Sequence, residues 1–183
     1  MTFLLSVCYK FHQKTEHVAA YYGGTTVRIT TTFVVLAPFD QDIIDPYGAP
    51  NTIMNKLRGG NIQPETIVSA LHPDCITTTS SMWDAFSMYM DYSQGGEVPN
   101  LGHPNDAWTE IVQLLDGMTK FIIMPPPVID RILSIVQGLA EDANWPIHPG
   151  FMAVFTLGST GKKKGEIQII NPFVDDDHGI TVV

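Results

Sequence analysis

Lysine and arginine are missing from the whole middle of this sequence, between Gly59 and Thr119. Near neutral pH this segment therefore repels phosphate and attracts cations or basic surfaces. The chain of 183 residues has a formal net charge of -9. General nucleic-acid binding and adsorption to an anionic membrane both need clustered basic side chains, so the composition argues against both. The same middle segment carries eight carboxylates, which are Glu65, Asp74, Asp84, Asp91, Glu97, Asp106, Glu110 and Asp116.

Cysteine is scarce, since Cys8 and Cys75 are the only two in the sequence. They can form at most one bridge, and two buried thiols in a reducing compartment is the favoured interpretation. The apolar start of the chain, residues 1–8, has no preceding basic residue and is shorter than the hydrophobic region of a signal peptide. No wholly apolar run is long enough to cross a bilayer. We therefore expect a cytoplasmic protein, or one assembled there into a larger particle.

Motifs that fix a reaction are also missing. The sequence has no Gly-x-Ser-x-Gly elbow, no His-Glu-x-x-His and no paired cysteines. The glycine- and lysine-rich segment 158–165 invites comparison with a phosphate loop. However, Thr156 stands where that loop needs its first glycine, and Lys163 stands where it needs a serine or threonine. A solvated hairpin tip is therefore the favoured interpretation of this segment.

The weak candidates for metal ligands are Asp175, Asp177 and His178. Carboxylates two residues apart followed by a glycine match part of a calcium loop, although a solvated turn before the last strand is favoured. Three further histidines precede prolines, and a thiol lies close to the first of them. Structural zinc sites use paired spacings that these residues lack, so turns at element boundaries explain them better. These three histidines are His72, His103 and His148, and the thiol is that of Cys75. We expect the protein to bind no cofactor.

Strand signals dominate both ends of the chain, and helix signals dominate its centre. Between Thr25 and Leu36 a period of two predicts one half-exposed antiparallel strand. The layout predicts an α+β fold over 1–183 as a single domain, with an antiparallel sheet from the N- and C-terminal strands packed against about four to five central helices. The predicted strands are 3–11, 18–22, 25–36, 121–124, 151–157, 166–170 and 180–183. The predicted helices are 51–59, 64–71, 80–92, 104–117 and 128–143.

Charge segregation suggests how the protein works. Three of the ten basic residues lie at the predicted hairpin tip, and complementary patches at opposite ends of a fold allow copies to associate head to tail. The leading hypothesis is a non-enzymatic, self-assembling structural protein, such as a virion neck, tail or capsid-associated component. Its partner would be a second copy of itself or a basic protein surface. The candidate interaction residues are Lys162, Lys163, Lys164, Asp84, Asp91, Glu97 and Glu110.

Two other functions stay open. An acidic inhibitor or immunity-type protein would use the same charge excess to approach the positive active site of a basic enzyme. A small metal-dependent hydrolase would use Asp175, Asp177 and His178, or the histidines that precede prolines. Self-association, binding to a basic partner and stoichiometric metal content distinguish the three hypotheses.

Overall fold

A computed structural model describes residues 19–22, 25–40, 48–89, 95–173 and 180–182. Its strands are β1 (Ala19–Tyr22), β2 (Thr25–Arg28), β3 (Thr30–Leu36), β4 (Thr66–Ala70), β5 (Gly95–Val98), β6 (Thr119–Ile123), β7 (Met152–Gly158), β8 (Lys163–Ile170) and β9 (Ile180–Val182). Its helices are α1 (Ala49–Gly59), α2 (Pro73–Tyr89), α3 (Pro104–Gln113) and α4 (Pro126–Val136). A 3-10 helix, Pro99–Gly102, joins β5 to α3. None of the described helices is long and apolar enough to cross a membrane.

Seven strands form one mixed sheet in the order β5-β4-β6-β3-β7-β8-β9, and β1 pairs only with β2 among the described strands. The strands β5, β4, β6 and β3 run parallel to one another, whereas β7, β8 and β9 are antiparallel to their neighbours. The protein therefore has a mixed α/β fold. The prediction of an antiparallel sheet is wrong for the half of the sheet that contains the helical crossovers.

Two strands that the sequence analysis missed account for this error. Residues Thr66–Ala70 were predicted as a helix but form β4, which lies between β5 and β6. Thr66, Ile67 and Val68 are β-branched residues that suit a strand, and Ile67 and Val68 are buried. Gly95 and Gly96, which begin β5, were interpreted only as the end of the preceding helix. Without these two strands, the parallel crossovers were not visible in the pattern.

The strand β3 lies at the centre of the sheet, between β6 and β7. Its residues Phe33, Val34, Val35 and Leu36 are all fully buried, so the prediction of a half-exposed strand is wrong. The helix α1 contacts α2, and α3 contacts α4. Because crossovers between parallel strands are right-handed, the two pairs cover opposite faces of the sheet. A strand covered on both faces is a continuous apolar run and loses the alternation of a half-exposed strand.

The helices begin and end differently from the prediction in two places. The helix α2 begins at Pro73, and the hydroxyls of Ser80 and Ser81 donate to carbonyls one turn earlier instead of capping an N-terminus. The helix α4 ends at Val136 and not near residue 143. Gly138, with a φ of +79°, follows it in the left-handed region that favours glycine.

A strap, residues 139–147, returns along α4 after the helix ends. Three polar contacts hold it there: an ion pair from Arg131 to Asp142 at 3.2 Å, a bond from the Ala143 N–H to Ser134 Oγ at 2.9 Å, and one from the Trp145 N–H to Asp130 Oδ1 at 3.1 Å. Because the contacts reach Ser134 in the last turn of α4 and Asp130 one turn earlier, the strap runs back along the helix towards the edge of the sheet where β7 begins.

Candidate functional site

The four parallel strands end along one side of the sheet. In open α/β sheets ligands bind outside the carboxyl ends of the strands, at a position where neighbouring strands send their connections to opposite faces. The strand β6 leads to α4 on one face, while its neighbours β4 and β3 lead to α2 and α1 on the other. This arrangement places the candidate site at the carboxyl edge, which we define as residues 37–40, 71–74, 124–127 and 148–151.

The strand register brings the three central loops of the carboxyl edge to one level. Leu36 and Ser69 both pair with Ile123, and the Met124 N–H donates to the Leu36 carbonyl at 3.2 Å. Two residues after Leu36, Ser69 and Ile123, the three loops reach Pro38, Leu71 and Pro125, respectively. The loops therefore converge where a ligand in this type of fold would bind.

Proline removes backbone donors from this position. Pro125, Pro126 and Pro127 stand at the N-cap and the first two positions of α4, where free N–H groups would otherwise attract an anion. The next two N–H groups, of Val128 and Ile129, donate to the Pro125 carbonyl. The N-terminus of α4 therefore has no backbone donor left for a phosphate within its first four residues.

The loop after β3 is similarly occupied. The Ala37 N–H donates to the Phe151 carbonyl at 2.9 Å, and Pro38 has no N–H. The Phe39 N–H donates to Thr78 Oγ1 at 3.3 Å, and the same hydroxyl donates back to the Phe39 carbonyl at 3.4 Å. This reciprocal pair fixes the loop against α2 and uses the donors that a bound oxyanion would need.

The loop after β4 adds negative charge. Asp74 lies in the first turn of α2, and its side chain is 77% exposed. Its N–H donates to His72 Nδ1 at 3.3 Å, and one carboxylate oxygen lies 3.9 Å from the same nitrogen. Since Nδ1 accepts this bond, the neutral His72 ring carries its proton on Nε2. His72 is therefore a weak candidate for a nucleophile, because the Nε2 lone pair is not free.

Cys75 follows in the same turn of α2 and is fully buried as a free thiol. Burial and, to a smaller extent, the nearby Asp74 carboxylate together raise the pKa of Cys75 to about 12. The thiol is therefore protonated near neutral pH, and protonated thiols are poor nucleophiles and metal ligands. This agrees with the prediction of a buried free thiol for Cys75, whereas Cys8 lies outside the described residues.

His148 is the second histidine of the carboxyl edge, and both of its ring nitrogens have polar partners. Its Nδ1 lies 3.0 Å from the Pro149 carbonyl, and its Nε2 lies 3.2 Å from Asn171 Oδ1. The ring also contacts Phe151 edge to face. Both of these oxygens are acceptors, so the neutral ring can donate to only one of them at a time.

The predicted interaction residues lie in different parts of the molecule. Lys162, Lys163 and Lys164 are exposed at the β7–β8 hairpin tip, at the amino edge of the sheet, the side opposite the carboxyl edge. Glu110 accepts a bond from Asn100 Nδ2 at 3.0 Å, which ties α3 to the 3-10 helix. Asp91 lies outside the described residues, as do the side chains of Asp84 and Glu97.

The structure does not gather the candidate metal ligands that it describes. His72, His103 and His148 occupy separate loops, and the described residues contain no group of three or more His, Cys, Asp or Glu side chains able to hold a metal ion. The other candidates, Asp175, Asp177 and His178, lie outside the described residues. Segment 158–165 forms a hairpin tip, as predicted, closed by a bond from the Gly158 N–H to the Lys162 carbonyl.

Solved structures of phosphatase-type enzymes share this fold. The chain is similar to phosphoglycerate mutase from Plasmodium falciparum, with 13% identity, a TM-score of 0.53 and coverage of 78% of this chain and 90% of that one. It is similar to the protein histidine phosphatase SixA complexed with tungstate, with 12% identity, a TM-score of 0.55 and coverage of 73% and 92%. YhfR from Bacillus stearothermophilus matches with 10% identity, a TM-score of 0.51 and coverage of 73% and 94%. No family model and no curated protein matches the chain.

These similarities correct the leading functional hypothesis. The fold is that of phosphoglycerate mutase and the histidine phosphatases, so the interpretation as a self-assembling structural or virion protein is wrong. At such low identity the likeness concerns the fold alone. The activity has to be argued from the side chains at the carboxyl edge.

Sequence reasoning missed the residues that define this edge. His72 was weighed as a weak metal ligand and its pairing with Pro73 as a turn at a helix end, while Pro125–Pro127 were interpreted only as leading from the predicted strand 121–124 into a helix. The signal was present, since each follows a short β-branched run. The assignment of β4 as a helix concealed that both segments end parallel strands.

Proposed function

We propose that this chain is a non-hydrolytic ligand-binding protein built on a phosphatase fold. Its carboxyl edge selects a ligand that brings its own hydrogen-bond donors, such as an amine or a guanidinium group, in preference to a phosphate. The proposal rests on the prolines at Pro38, Pro73 and Pro125–Pro127, because proline has no backbone N–H to donate to a ligand. The prolines follow all three central parallel strands.

The charge of the edge supports the same preference. A phosphate site needs donors or cations to compensate its charge, and the described loops of the carboxyl edge contain no lysine or arginine. Asp40 and Asp74 are exposed there, and Asp74 stands where the positive end of the α2 dipole would meet an anion. Carboxylates at this position repel phosphate and attract cations.

The test uses one oxyanion and one cation on the same preparation. Tungstate, the ligand in the SixA structure, should leave the melting temperature unchanged in phosphate-free buffer, whereas a true phosphatase of this fold serves as the positive control. Agmatine, a guanidinium probe, should bind saturably in calorimetry. Saturable stabilisation by tungstate together with no binding of agmatine would refute the proposal.

A matched pair of variants localises the cation site. Asp74→Asn should weaken agmatine binding up to about fivefold, since an exposed ion pair contributes about 0.2–1 kcal/mol. Glu141→Gln makes the same change of charge in the strap and should have no effect. Equal weakening by both variants would mean that agmatine responds only to net charge.

A second candidate is phosphoester hydrolysis, which the fold favours and for which His148 is the histidine at the carboxyl edge. Histidine can form covalent intermediates when one ring nitrogen is held by an acceptor and the other is free to attack, so this candidate requires the Asn171 side chain to move away from Nε2 of His148. This candidate predicts turnover of p-nitrophenyl phosphate that His148→Ala abolishes. The first proposal predicts no turnover above that of the His148→Ala protein.

A further inference from the structure

The turn between α3 and β6 contains Asp116-Gly117, which is the only Asp-Gly pair in the sequence. Glycine has no Cβ to shield its backbone nitrogen, so in a flexible chain this nitrogen attacks the side-chain carboxyl group of a preceding aspartate. Both residues of the pair are exposed, and water reaches them. The reactivity of the pair therefore depends on how the fold holds its two reacting groups, the Gly117 amide and the Asp116 carboxyl group.

The reaction is a two-step rearrangement of the main chain. The Gly117 nitrogen forms a bond to Cγ of Asp116, and the amide proton, the acid proton and one carboxyl oxygen leave as water. A second water molecule then opens the five-membered imide by breaking the bond between the main-chain carbonyl carbon of Asp116 and the nitrogen. The chain now runs through the side chain as isoaspartate, with no net change in mass or oxidation state.

The fold fixes the amide of Gly117. Its N–H donates to Thr31 Oγ1 at 2.9 Å, and the Asp116 N–H donates to the same oxygen at 3.0 Å. Thr31 is only 2% exposed and lies on the central strand β3, so this acceptor has a fixed position. Gly117 also has a φ of +83°, and a Cβ there would collide with Ile29. The amide proton has to leave before the imide can close, so the reaction requires the bond to Thr31 to break.

The fold also fixes the carboxylate of Asp116. Its Oδ1 accepts the Met118 N–H at 3.0 Å, and its Oδ2 lies 2.7 Å from Nζ of Lys120. Lys120 is only 6% exposed, and a buried ammonium group that loses its carboxylate partner is strongly unfavourable. Departure of a carboxyl oxygen as water would leave Lys120 in that situation. Both reacting groups are therefore held by contacts that ring closure has to disrupt.

We propose that Asp116-Gly117 is a modification site gated by Thr31, which stays aspartate while the Thr31 bonds are closed and converts to isoaspartate when the turn opens locally. Exposed turns held by few contacts open more readily than the whole fold. Isoaspartate adds a backbone atom before Gly117 and leaves the free carboxylate directly on Cα, so the contacts to Thr31 and Lys120 do not re-form together. Conversion thus marks a chain whose turn has opened. The turn lies at the amino edge, so the proposal is independent of the ligand proposed for the carboxyl edge.

The experiment incubates the folded protein near neutral pH and measures isoaspartate at residue 116 in its proteolytic peptides, by enzymatic methylation of the isoaspartyl carboxylate. A synthetic peptide of residues 113–119 gives the unrestrained rate, and Asp116→Glu gives the blank. The unmodified protein should convert at least about tenfold more slowly than the peptide, since opening costs two hydrogen bonds. Thr31→Val removes their acceptor and should convert about tenfold faster than the unmodified protein, whereas Thr31→Ser should stay slow.

A matched variant separates local opening from global unfolding. Gly150→Ala destabilises the fold at the carboxyl edge, where the new Cβ would lie 2.5 Å from Phe173, and it should leave conversion unchanged. Lys120→Met releases the carboxylate, keeps an apolar side chain in the core and should raise conversion about 1.5- to fivefold, so it tests the site even if Thr31→Val does not fold. Conversion of the unmodified protein at the rate of the peptide would overturn the proposal. Equal acceleration by Gly150→Ala and Thr31→Val would also overturn it, as would no acceleration by any folded variant of Thr31→Val or Lys120→Met.

Discussion

Burial of Cys75 predicts a thiol that is almost inert in the folded protein. Its pKa is raised from 9.0 to about 12. At pH 8 a thiol with the ordinary value is about one-tenth thiolate, whereas a thiol with a pKa of about 12 is about one ten-thousandth thiolate. The thiolate is the species that reacts with disulfide reagents. The folded protein should therefore react about a thousandfold more slowly at Cys75 than the unfolded chain does.

The assay follows the release of thionitrobenzoate from Ellman's reagent at pH 8, with and without denaturant. A Cys8→Ser background leaves Cys75 as the single thiol, and adding Cys75→Ser to that background gives the blank. Reaction of the folded protein within about tenfold of the unfolded rate would refute this reasoning. It would show that the thiol lies in a polar or mobile environment and restore it as a candidate nucleophile.

The same shift has a consequence for stability at alkaline pH. The folded state holds the thiol proton more tightly than the unfolded state, so the stabilisation is fully present below pH 9 and is lost as the pH rises towards 12. Each pH unit in that window should reduce the free energy of unfolding by about 1.4 kcal/mol more than in the Cys75→Ala protein. Parallel pH profiles of the two proteins in urea unfolding would contradict the assignment.

Three further predictions concern stability, each measured by urea denaturation. Thr31→Val should cost about 2 kcal/mol, because the buried Thr31 hydroxyl accepts the N–H groups of Asp116 and Gly117 at 3.0 and 2.9 Å, and Thr31→Ser should recover most of that loss. Gly138→Ala and Gly150→Ala share a φ of +79° and should each cost about 1–2 kcal/mol. Gly150→Ala should cost about 1 kcal/mol more than Gly138→Ala, because its new Cβ would lie 2.5 Å from the Phe173 ring, whereas nothing lies within 4 Å of a Cβ at position 138. A double-mutant cycle on Arg131 and Asp142 should give a coupling of about 0.2–1 kcal/mol, and a larger value would mean that the strap is held more firmly than an exposed pair allows.

Elements were predicted well where the local residue pattern and the tertiary environment favour the same secondary structure. The helices α1 and α3 and the β7–β8 hairpin appear close to their predicted bounds. Proline in the first turn and glycine after the last turn mark the ends of α1, and no tertiary contact opposes these local signals. The hairpin is marked by two mainly apolar runs on either side of a glycine-rich tip.

The sequence failed where burial on both faces removes the alternation. The strand β4 is short and apolar, and such runs do not distinguish a buried strand from a buried helix by periodicity alone. The prolines on either side, Pro64 and Pro73, are equally compatible with a helix start and a helix end. The pairing of Ile67 with Phe121 on β6 and with Gly95 on β5 shows that the segment is extended.

The candidate site was hidden for the same reason. The His72-Pro73-Asp74-Cys75 segment stood out for its chemistry, but its position at the end of a parallel strand depends on a sheet that local patterns do not reveal. The role of Pro125–Pro127 depends on α4 facing the same edge as α2. No local signal relates two loops that are so far apart in the chain.

The position of β3 has a consequence for how the protein is made. Phe33 pairs with Lys120 on one side and with Phe155 on the other, so the partners of this strand leave the ribosome long after it. Pairing between distant segments slows folding, because the chain must close large loops before those contacts form. In the meantime the apolar run Phe33–Ala37 is a segment of high β-propensity without charge, the type that aggregates when exposed. Chains stalled before β6 should therefore depend on chaperones, and the vulnerable period ends only when the second half of the sheet has been synthesised.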